Sequence, residues 1–581
     1  MSKKKRSHLK KRAHRARQPW PKMQASRPEH NRKDLKTEIA APNSGNRLPL
    51  ILGLAAIAAI ALVLLFWELR PSGTRVVGDN KLNVLFITVD TTRADRLGYY
   101  GYTKGRTPNL DSLAQNGVRF ANAYAPASLT LPSHCSIMTG AYPLSHAVRN
   151  NGSYTLSPDK LTLAKFLAAK GLKTAAFVAS FSLDSRFGLG SGFDLYVDNF
   201  GEGSPAERTA EEVYSVFSAW FDKLKDERFF CWVHFFDPHL PYSPPPPYRG
   251  KFADRLYDGE IAYMDFVIGE VIAEIKARNL LGRTLVVVAG DHGEAFGEKR
   301  EAGHGVFLYE MALKVPLIFY AENRLPVKKV VPARVRLIDV MPTILNILNL
   351  PMPESVQGIS LVPYIQGKKK NDLDSYIETY YPKENYGWVP LLGLISRGWK
   401  YIRAPKEELY DLKTDPNETK NIFLAEPKKV ADLKDSLDTL VKESLGQGSP
   451  GQRTLTAEER DKLRSLGYVG YSDKTAQGEI PDPKDKLDEL KMIQDAEKFE
   501  FEGNFQAAAE LNEKMLARRP NVASSYDNLS FDQARMKKFD AAIQTLKRGL
   551  EKIPRSEILL ARLGHAYLVY RTDGRSVGGH E

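Results

Sequence analysis

The sequence contains very little cysteine. Its 581 residues include only Cys135 and Cys231. Two thiols cannot form a disulfide framework, and no Cys/His cluster has zinc-finger spacing. The sequence does not decide whether these two cysteines form a single disulfide with each other. A chain of this length must instead rely on large apolar cores, and its size indicates two or three domains.

An excess of basic residues is typical of nucleic-acid-binding domains, and the folded part of this chain lacks one. The formal net charge is +13, but residues 1–47 contain fifteen Lys or Arg against three acidic residues. The rest of the chain is therefore close to neutral. We expect no nucleic-acid partner, although a basic tail of this kind can also contact anionic lipid or nucleic acid.

Uninterrupted apolar runs are scarce, and the longest is LPLILGLAAIAAIALVLLFW at residues 48–67. Twenty uncharged residues at about 1.5 Å each span a hydrocarbon layer of roughly 30 Å. The run is too long for a signal-peptide core. It predicts one transmembrane helix, with residues 1–47 as a cytoplasmic tail and everything after the helix exported. A bacterial periplasm fits this topology, and a secretory-pathway lumen stays open.

Strand-like apolar runs alternate with helical patterns over residues 80–425, which predicts an α/β domain whose sheet is sandwiched by helices. Three of the four clearest strands end in aspartate, at Asp90, Asp237 and Asp291. Ligands of open α/β sheets bind beyond the carboxyl ends of the strands, so these acids predict a shared site. A single strand-terminal Asp could equally cap a helix. The four strands are LNVLFITVD (82–90), TAAFVAS (174–180), FFCWVHFFD (229–237) and TLVVVAGD (284–291).

A polar connector at residues 426–483 leads to a repeated pattern at residues 484–571. Five residues recur 34 positions later, in the pairs Phe505/Phe539, Ala507/Ala541, Ala508/Ala542, Leu516/Leu550 and Pro520/Pro554. This period and the closing proline resemble the tetratricopeptide repeat, which implies an α-helical module that binds a protein partner. A plain pair of helical hairpins is the alternative.

Several stretches of the α/β region resemble the sulfatase branch of the alkaline phosphatase superfamily, in that family's order. They are VDTTRADRLGYYG (89–101), TLPSHCSIMTGAYP (130–143), HFFDPHLPYSPP (234–245), GDHGEAFGEKREAGHGVFLYE (290–310) and WKYIRAPKEELYDLKTDPNE (399–418). The resemblance implies the alkaline phosphatase/sulfatase-like fold. It also implies a metal-assisted hydrolase that acts on sulfate or phosphate esters.

The resemblance also implies which residues form the site. Asp90, Asp291 and His292 match metal ligands of the family, and His304 falls where members carry a metal-binding His or a substrate-binding Lys. His239 matches a substrate- or metal-binding histidine, and Asp237 lies beside it. We therefore expect metal ligands at Asp90, Asp237, Asp291, His292 and His304, catalytic roles for Thr130, His134 and His239, and substrate binding by His239, Arg149 and Asn151.

The expected cofactor is a divalent metal ion. Imidazole ligands favour zinc or manganese over calcium, although calcium also occurs in the family that the sequence resembles. A two-metal arrangement would place Asp90, Thr130, Asp291 and His292 on one ion. Asp237, His239 and His304 would then hold a second ion about 4 Å away. One ion, with His239 and His304 contacting the substrate, is the alternative.

The nucleophile is predicted to be Thr130 rather than Cys135. The sulfatase signature is C-x-P-S-R, whose cysteine is oxidised to formylglycine, and alignment on Thr139 and Gly140 places Thr130 at that position. Cys135 lies five residues later and lacks the proline two positions on. On a helix opened by Pro132 it is expected to face the core, with Thr130 just before a helix N-terminus that favours anions. Ser128 is a weaker rival, and a purely capping role for Thr130 is the alternative.

A threonine nucleophile limits the chemistry of the ester. Threonine cannot form the aldehyde by which formylglycine expels sulfate, whereas water can hydrolyse a threonine phosphate at phosphorus. The sequence therefore predicts hydrolysis of a phosphate or phosphonate ester and leaves a glycan- or lipid-linked substrate open. The alternatives are a sulfatase, a transferase that moves phosphoethanolamine onto envelope glycans, and a scaffold without catalysis.

Overall fold

The computed structural model describes residues 76–200, 203–444, 451–452, 455–468 and 480–572. The predicted basic tail at 1–47 and transmembrane helix at 48–67 lie outside these residues. Within the described part, none of the helices combines the length and the apolar character that crossing a bilayer requires.

Strands and helices alternate through the described residues between 76 and 425. The strands are β1 (Asn83–Val89), β2 (Val118–Tyr124), β3 (Tyr154–Thr155), β4 (Lys173–Phe177), β5 (Leu195–Val197), β6 (Phe229–Phe235), β7 (Thr284–Gly290), β8 (Ala295–Phe296), β9 (Ala302–Gly303), β10 (Lys314–Val315), β11 (Leu317–Tyr320), β12 (Lys329–Arg336), β13 (Ser375–Thr379), β14 (Leu391–Ser396), β15 (Trp399–Arg403), β16 (Glu408–Asp411) and β17 (Gly451–Gln452). The α-helices are α1 (Pro108–Gln115), α2 (Thr130–Thr139), α3 (Pro143–His146), α4 (Leu163–Ala169), α5 (Ala210–Phe221), α6 (Tyr248–Lys251), α7 (Leu256–Ala277), α8 (Glu310–Leu313), α9 (Val340–Ile347), α10 (Val362–Ile365), α11 (Tyr381–Tyr386), α12 (Pro427–Ser444), α13 (Ala457–Ser465), α14 (Leu487–Phe501), α15 (Phe505–Arg518), α16 (Ala523–Arg535), α17 (Phe539–Lys552) and α18 (Glu557–Thr572).

The large sheet has nine strands, eight of them in the order β10-β2-β11-β7-β1-β6-β4-β5, with β12 paired to β2. Strand β1 lies between β6 and β7 and is parallel to both. Every residue of these three strands is buried, as expected for parallel strands that helices cover on both faces. Their near-continuous apolar sequences follow from that double burial. The predicted α/β class is confirmed.

Helix α2 is buried along its whole length, and all ten of its residues are inaccessible to solvent. It begins at Thr130, after the extended residue Leu129, and ends at Gly140, whose φ of +65° is a left-handed conformation that glycine accommodates well. The helix therefore begins two residues before Pro132, where the sequence predicted it to open. Thr130 belongs to the first turn of the helix.

A second, antiparallel sheet has the order β13-β14-β15-β16. A buried ion cluster connects it to the main domain. The ammonium group of Lys400 lies 2.9 Å from Glu310 and 2.6 Å from Glu418, and it donates a hydrogen bond to the Leu308 carbonyl at 3.1 Å. A buried charge requires such partners, so Lys400 fixes this sheet against the segment that follows the GDHGE motif.

The C-terminal helices α14 to α18 pack as successive neighbours. Helices α15 and α17 begin at Phe505 and Phe539, which are 34 residues apart, as the repeat in the sequence predicts. The assignment of these helices to the tetratricopeptide class stays a prediction. Helix α13, within the predicted connector, contacts α18 and lies between the repeat helices and the α/β domain.

Candidate active site

Two adjacent parallel strands bring two carboxylates together. Asp90 directly follows β1, and Asp291 and His292 directly follow β7. Oδ1 of Asp291 accepts hydrogen bonds from the backbone N–H groups of His292 at 2.8 Å and Thr91 at 3.2 Å. Oδ1 of Asp90 and Oδ2 of Asp291 are buried and have no hydrogen-bond partner among the described residues. These two oxygens are free to bind a cation.

The imidazole of His292 completes this cluster. Its Nε2 atom lies 3.8 Å from Oδ1 of Asp90 and 3.5 Å from Oδ2 of Asp291. Its Nδ1 lies 3.1 Å from the Gly293 carbonyl, so we assign the proton to Nδ1 and leave Nε2 as a free ligand atom. Asp90, Asp291 and His292 form the one group of three or more acidic, His or Cys ligands within ion-binding distance in the described part.

The pKa shifts of the three side chains indicate that the described residues supply no positive charge to balance the two carboxylates. Burial raises the pKa of Asp90, and the charge of Glu294 raises it further. Burial likewise raises the pKa of Asp291, with the nearby Asp90 carboxylate as the next cause. Burial lowers the pKa of His292, so the histidine is neutral and does not supply the charge. A divalent cation would balance both carboxylates, and the ligand set of two oxygens and one imidazole nitrogen fits such an ion.

Thr130 lies beside this cluster. Its Oγ1 is 3.3 Å from Nε2 of His292, and the whole residue is buried. As the first residue of α2, Thr130 is next to backbone N–H groups that favour an anion. Oδ1 of Asn151 accepts a hydrogen bond from one of these groups, the N–H of Leu131, at 2.9 Å. The structure thus brings the Thr130 hydroxyl and the N-terminus of α2 together beside the cluster of Asp90, Asp291 and His292.

Cys135 lies on the same helix and is unsuited to nucleophilic attack. Its thiol is free and completely buried, and burial raises the pKa of the thiol. A buried thiol with a raised pKa carries almost no thiolate, which is the reactive form. Cys231 on β6 is also free and buried, so the bridge that the sequence left open is absent. Cys135 is a core residue, as predicted.

His134 lies on α2 itself, one turn after Thr130, and its ring faces Thr130 and Asp291. Its Nδ1 donates a hydrogen bond to the Thr130 carbonyl at 2.8 Å and lies 3.6 Å from Oδ2 of Asp291. Its Nε2 is buried without a hydrogen-bond partner among the described residues. Burial, with the neighbouring His234 second, lowers the pKa of His134. The residue therefore holds the backbone of Thr130 as a neutral group.

His239 and His304 form the opposite wall of the site, with ring centroids 5.2 Å apart. Nδ1 of His239 donates to the Leu240 carbonyl at 2.7 Å, and Nδ1 of His304 lies 3.1 Å from Oε1 of Glu294. Both Nε2 atoms are thereby directed into the site. Burial lowers the pKa of both imidazoles, to about 3 for His304. They face the substrate position as neutral groups.

Asp237 is directed toward a different part of the domain. Its Oδ1 accepts a hydrogen bond at 3.0 Å from the N–H of Ala210, the first residue of α5, and burial raises its pKa to about 7. Among the described residues, the ion-binding group contains neither Asp237 nor His304. The structure therefore brings together the residues predicted for the first ion but leaves Asp237 apart from His239 and His304.

The two predicted substrate-binding residues differ in their surroundings. Arg149 forms a buried ion pair with Glu378 and packs over the ring of Tyr380, 3.7 Å from its centroid. This pairing occupies the guanidinium group with protein partners. Asn151 lies next to the nucleophile, and its Nδ2 is buried without a hydrogen-bond partner in the described part. Asn151 is the better placed of the two to donate to a substrate oxygen.

Sequence reasoning missed three residues of the site. His234 receives the Ala179 N–H on Nδ1 and donates from Nε2 to Oδ2 of Asp90 at 3.2 Å. Glu294 orients His304, as described above. Both lie inside the quoted motifs, so their proximity to the predicted ligands was a usable signal. The hydroxyl of Tyr468, far along the chain, lies 3.1 Å from Oγ1 of Thr130, and nothing in the sequence indicated it.

Comparisons with known proteins relate this chain to sulfatases. Residues 82–350 match the family model described as Sulfatase, and residues 300–445 match the model described as N-sulphoglucosamine sulphohydrolase, C-terminal. The chain is 25% identical over 474 residues to a Delta 4,5-hexuronate-2-O-sulfatase of Bacteroides thetaiotaomicron, covering 69% of this chain and 96% of that protein.

Two solved structures have the same fold. A phosphonate monoester hydrolase of Agrobacterium radiobacter is 20% identical, with a TM-score of 0.55, over 64% of this chain and all of that one (100%). A protein solved with its substrate D-glucosamine-2-N,6-O-disulfate is 19% identical, with a TM-score of 0.56, over 63% of this chain and 98% of that one. At these identities the likeness concerns the fold alone.

Proposed function

Because this chain is a sulfatase-family enzyme, a hydrolase of the alkaline phosphatase-like superfamily, we propose that it hydrolyses phosphate or phosphonate esters with Thr130 as covalent nucleophile. The observation that carries the proposal is the 3.3 Å separation of the Thr130 hydroxyl from Nε2 of His292, beside two carboxylate oxygens without partners. One of the similar folds belongs to a phosphonate monoester hydrolase, which supports phosphorus chemistry on this fold.

The reaction proceeds in two displacements. Oγ1 of Thr130 forms a bond to phosphorus, the bond from phosphorus to the ester oxygen breaks, and the alcohol leaves with a proton. Water then attacks the phosphorus, releases Thr130 and gives phosphate or phosphonate. A divalent ion held by Asp90, Asp291 and His292 would polarise the ester oxygens and lower the pKa of the adjacent hydroxyl. Zinc or manganese suits the imidazole ligand.

The surrounding residues bind and orient the ester. The first turn of α2 and the unpaired Nδ2 of Asn151 offer donors to an anionic group. His134 keeps the backbone of Thr130 in place through the hydrogen bond from its Nδ1. The Nε2 atoms of His239 and His304 face the space in front of the Thr130 hydroxyl, where the ester oxygens would lie.

A sulfate ester is the second candidate substrate. It is favoured by the similar Delta 4,5-hexuronate-2-O-sulfatase and by the structure solved with a disulfated glucosamine, and a sulfated glycan would be the substrate class. Threonine at the formylglycine position weighs against it, because a threonine sulfate has no aldehyde through which to expel sulfate. We therefore rank a phosphorus ester above a sulfate ester.

The test is a panel of chromogenic phosphate monoester, phosphodiester, phosphonate and sulfate substrates. The full chain in detergent would be assayed with zinc, manganese and calcium in turn. Faster hydrolysis of a phosphorus ester than of the sulfate ester supports the proposal. Turnover of the sulfate ester alone would replace it with the second candidate.

We further propose that residues 48–67 anchor the enzyme as a single-pass membrane protein with an exported catalytic domain. The support is the twenty-residue apolar run and the basic block before it. Protease added outside intact spheroplasts should then digest the catalytic domain and spare the tail. The C-terminal helices are proposed to bind a protein partner, on the strength of their 34-residue period.

A further inference from the structure

The site described above is closed in this structure. Asp90, Thr130, Asp291 and His292 are fully buried. The cavity beside His239 and His304 has a volume of about 50 Å³, whereas sites that accept small ligands begin at about 300 Å³. An ester cannot reach Thr130 unless some part of the wall moves.

The side chain of Tyr468 occupies the space in front of Thr130 where a substrate would bind. Its hydroxyl lies 3.1 Å from Oγ1 of Thr130, 3.3 Å from Nε2 of His304 and 3.5 Å from Nε2 of His239. A phosphoryl or phosphonyl group bonded to Oγ1 of Thr130 would bring its oxygens into the space that this hydroxyl occupies. The phenol and the ester therefore compete for one position.

A short helix presents Tyr468 to the site. Helix α13 begins with a capping box formed by Thr456 and Glu459. At its end the N–H groups of Gly467 and Tyr468 bond to the carbonyls of Arg464 and Leu463, both at 2.9 Å. Gly467 has a φ of +80°, which reverses the chain and directs the next side chain back toward the catalytic domain.

The catalytic domain has a fitted seat for this helix. A Cβ atom at Gly152 would lie 2.3 Å from a methyl carbon of Leu463, and the φ of +82° at Gly152 is a left-handed conformation that favours glycine. Arg186 pairs with Glu459 at 2.6 Å, and Lys462 donates to the Phe200 carbonyl at 2.6 Å. Close packing together with a part-buried ion pair and a hydrogen bond from a buried lysine indicates a specific docked state.

The repeat helices hold the other side of α13. Arg464 lies 3.1 Å from Asp527 of α16, and it also donates to Asn528. Arg562 of α18 pairs with Asp461 at 2.5 Å and with Asp527 at 2.6 Å. The position of Tyr468 is therefore set jointly by the catalytic domain and by α16 and α18.

We propose that residues 455–468 form an autoinhibitory plug, in which Tyr468 occupies the ester position at Thr130 and the repeat helices hold the plug in place. The enzyme is then latent until α13 shifts. This inference rests on the proposed function, since it assumes that an anionic ester binds at Thr130. A partner that binds α16 and α18 and breaks the pairs with α13 would activate the enzyme.

The test compares Tyr468→Ala with Tyr468→Phe in the full chain. Removal of the ring should raise kcat/KM by about tenfold or more. The apparent affinity of a site is proportional to the fraction of molecules in which the site is open, and the ring keeps that fraction small. Phenylalanine keeps the ring and loses the hydroxyl, so its increase should be smaller. A loss of activity in both variants would assign Tyr468 to catalysis, and unchanged activity in both would show that it does not obstruct; either result overturns the plug.

The role of the repeats is tested with Arg464→Ala. This variant should also raise kcat/KM, and adding it to Tyr468→Ala should give no further increase, because both changes release the same obstruction. The matched control is Arg535→Ala, an arginine of α16 that stacks over Phe505 rather than pairing with α13, and it should leave kcat/KM unchanged. Independent, additive effects of Arg464 and Tyr468 would contradict the coupling.

A binding measurement separates failure of the plug from failure of the proposed function. Calorimetric titration with inorganic phosphate, in the presence of zinc, should show tighter binding to Tyr468→Ala than to the wild type. If no variant hydrolyses any ester but phosphate binding tightens, the proposed function fails and the plug stands. If esters are hydrolysed while phosphate binds both proteins equally, the plug fails and the proposed function stands.

Discussion

The hydroxyl oxygen of Thr130 lies 3.3 Å from Nε2 of His292, although the two residues are 162 positions apart in the chain. The contact exists because α2 begins immediately beside the carboxyl end of β7. Thr130 thereby shares its surroundings with the unpartnered oxygens of Asp90 and Asp291. A nucleophile and a cation site placed this close are the basis of the predictions below.

Replacement of Thr130 is predicted to abolish turnover. Thr130→Ala removes the attacking oxygen, and loss of a covalent nucleophile costs on the order of 10³-fold or more in kcat. Thr130→Ser keeps the oxygen and should retain measurable activity. Cys135→Ala on the same helix is the control, and it should lower stability by about 1 kcal/mol without loss of kcat. Steady-state kinetics on the best ester of the panel give the comparison, and a loss in Cys135→Ala instead would contradict the assignment.

Removal of one carboxylate should stabilise the metal-free protein and weaken metal binding. Asp90→Asn relieves the repulsion between Asp90 and Asp291 in a site without a cation, so its melting temperature without metal should exceed that of the wild type. Zinc or manganese at a hundred times its Kd should add about 2.7 kcal/mol to the wild type. The same metal should add much less to the variant. A variant that is less stable than the wild type without metal, yet gains as much from the ion, would show that these acids are not a cation site.

Glu294 is predicted to act as a positioning residue through His304. Glu294→Gln weakens the interaction at Nδ1 of His304, and loss of such an orienting partner typically costs about 10- to 100-fold in activity. Glu301→Gln is the matched control, since Glu301 is equally buried but accepts backbone N–H groups of Val306 and Phe307. Equal effects of the two substitutions would assign Glu294 a merely structural role.

Acid should loosen the contact between α13 and the repeat helices. Burial alone would raise the pKa of Asp527, but Arg562 and then Arg464 lower it well below the ordinary value. A carboxylate with a lowered pKa stabilises the fold at pH values above its unfolded pKa, near 3.9, and that contribution is lost as the pH falls further toward the folded pKa. Hydrogen-exchange protection of α16, corrected for intrinsic rates, should therefore fall below about pH 4 in the wild type.

The corresponding variant provides the comparison for the acid effect. Asp527→Asn should already show reduced protection of α16 at neutral pH and a weaker dependence on acid. Identical pH profiles for the two proteins would show that Asp527 does not carry the effect. The pair of profiles thus separates this ion cluster from general acid unfolding.

The sequence predicted the catalytic core of the site because its signals are local. Asp90 and Asp291 each follow an apolar run that could only be a buried strand, and parallel neighbours bring their ends together. Thr130 was assigned by its spacing from Thr139 and Gly140, and the structure places its hydroxyl 3.3 Å from Nε2 of His292, while its role as nucleophile stays a prediction. Such features depend on neighbours in the chain, which the sequence displays directly.

Other features depend on tertiary packing and were not predictable. Asp237 follows a strand as Asp90 does, but α5 offers the Ala210 N–H and draws its carboxylate away. Arg149 is occupied by Glu378, 229 positions later. Tyr468 reaches the site across 338 positions, from a segment whose composition indicated only a connector. A sequence pattern does not specify which distant side chain meets another.

The most direct test of the central claim is to trap the covalent intermediate on Thr130. Protein mixed with excess substrate would be quenched in acid within the first turnover, digested, and its peptides sequenced by mass spectrometry. The account predicts one phosphoryl or phosphonyl group on Thr130 in the peptide that contains TLPSHC, and none in Thr130→Ala. The same group on Ser128 or Ser133, or no modified peptide during active turnover, would contradict it.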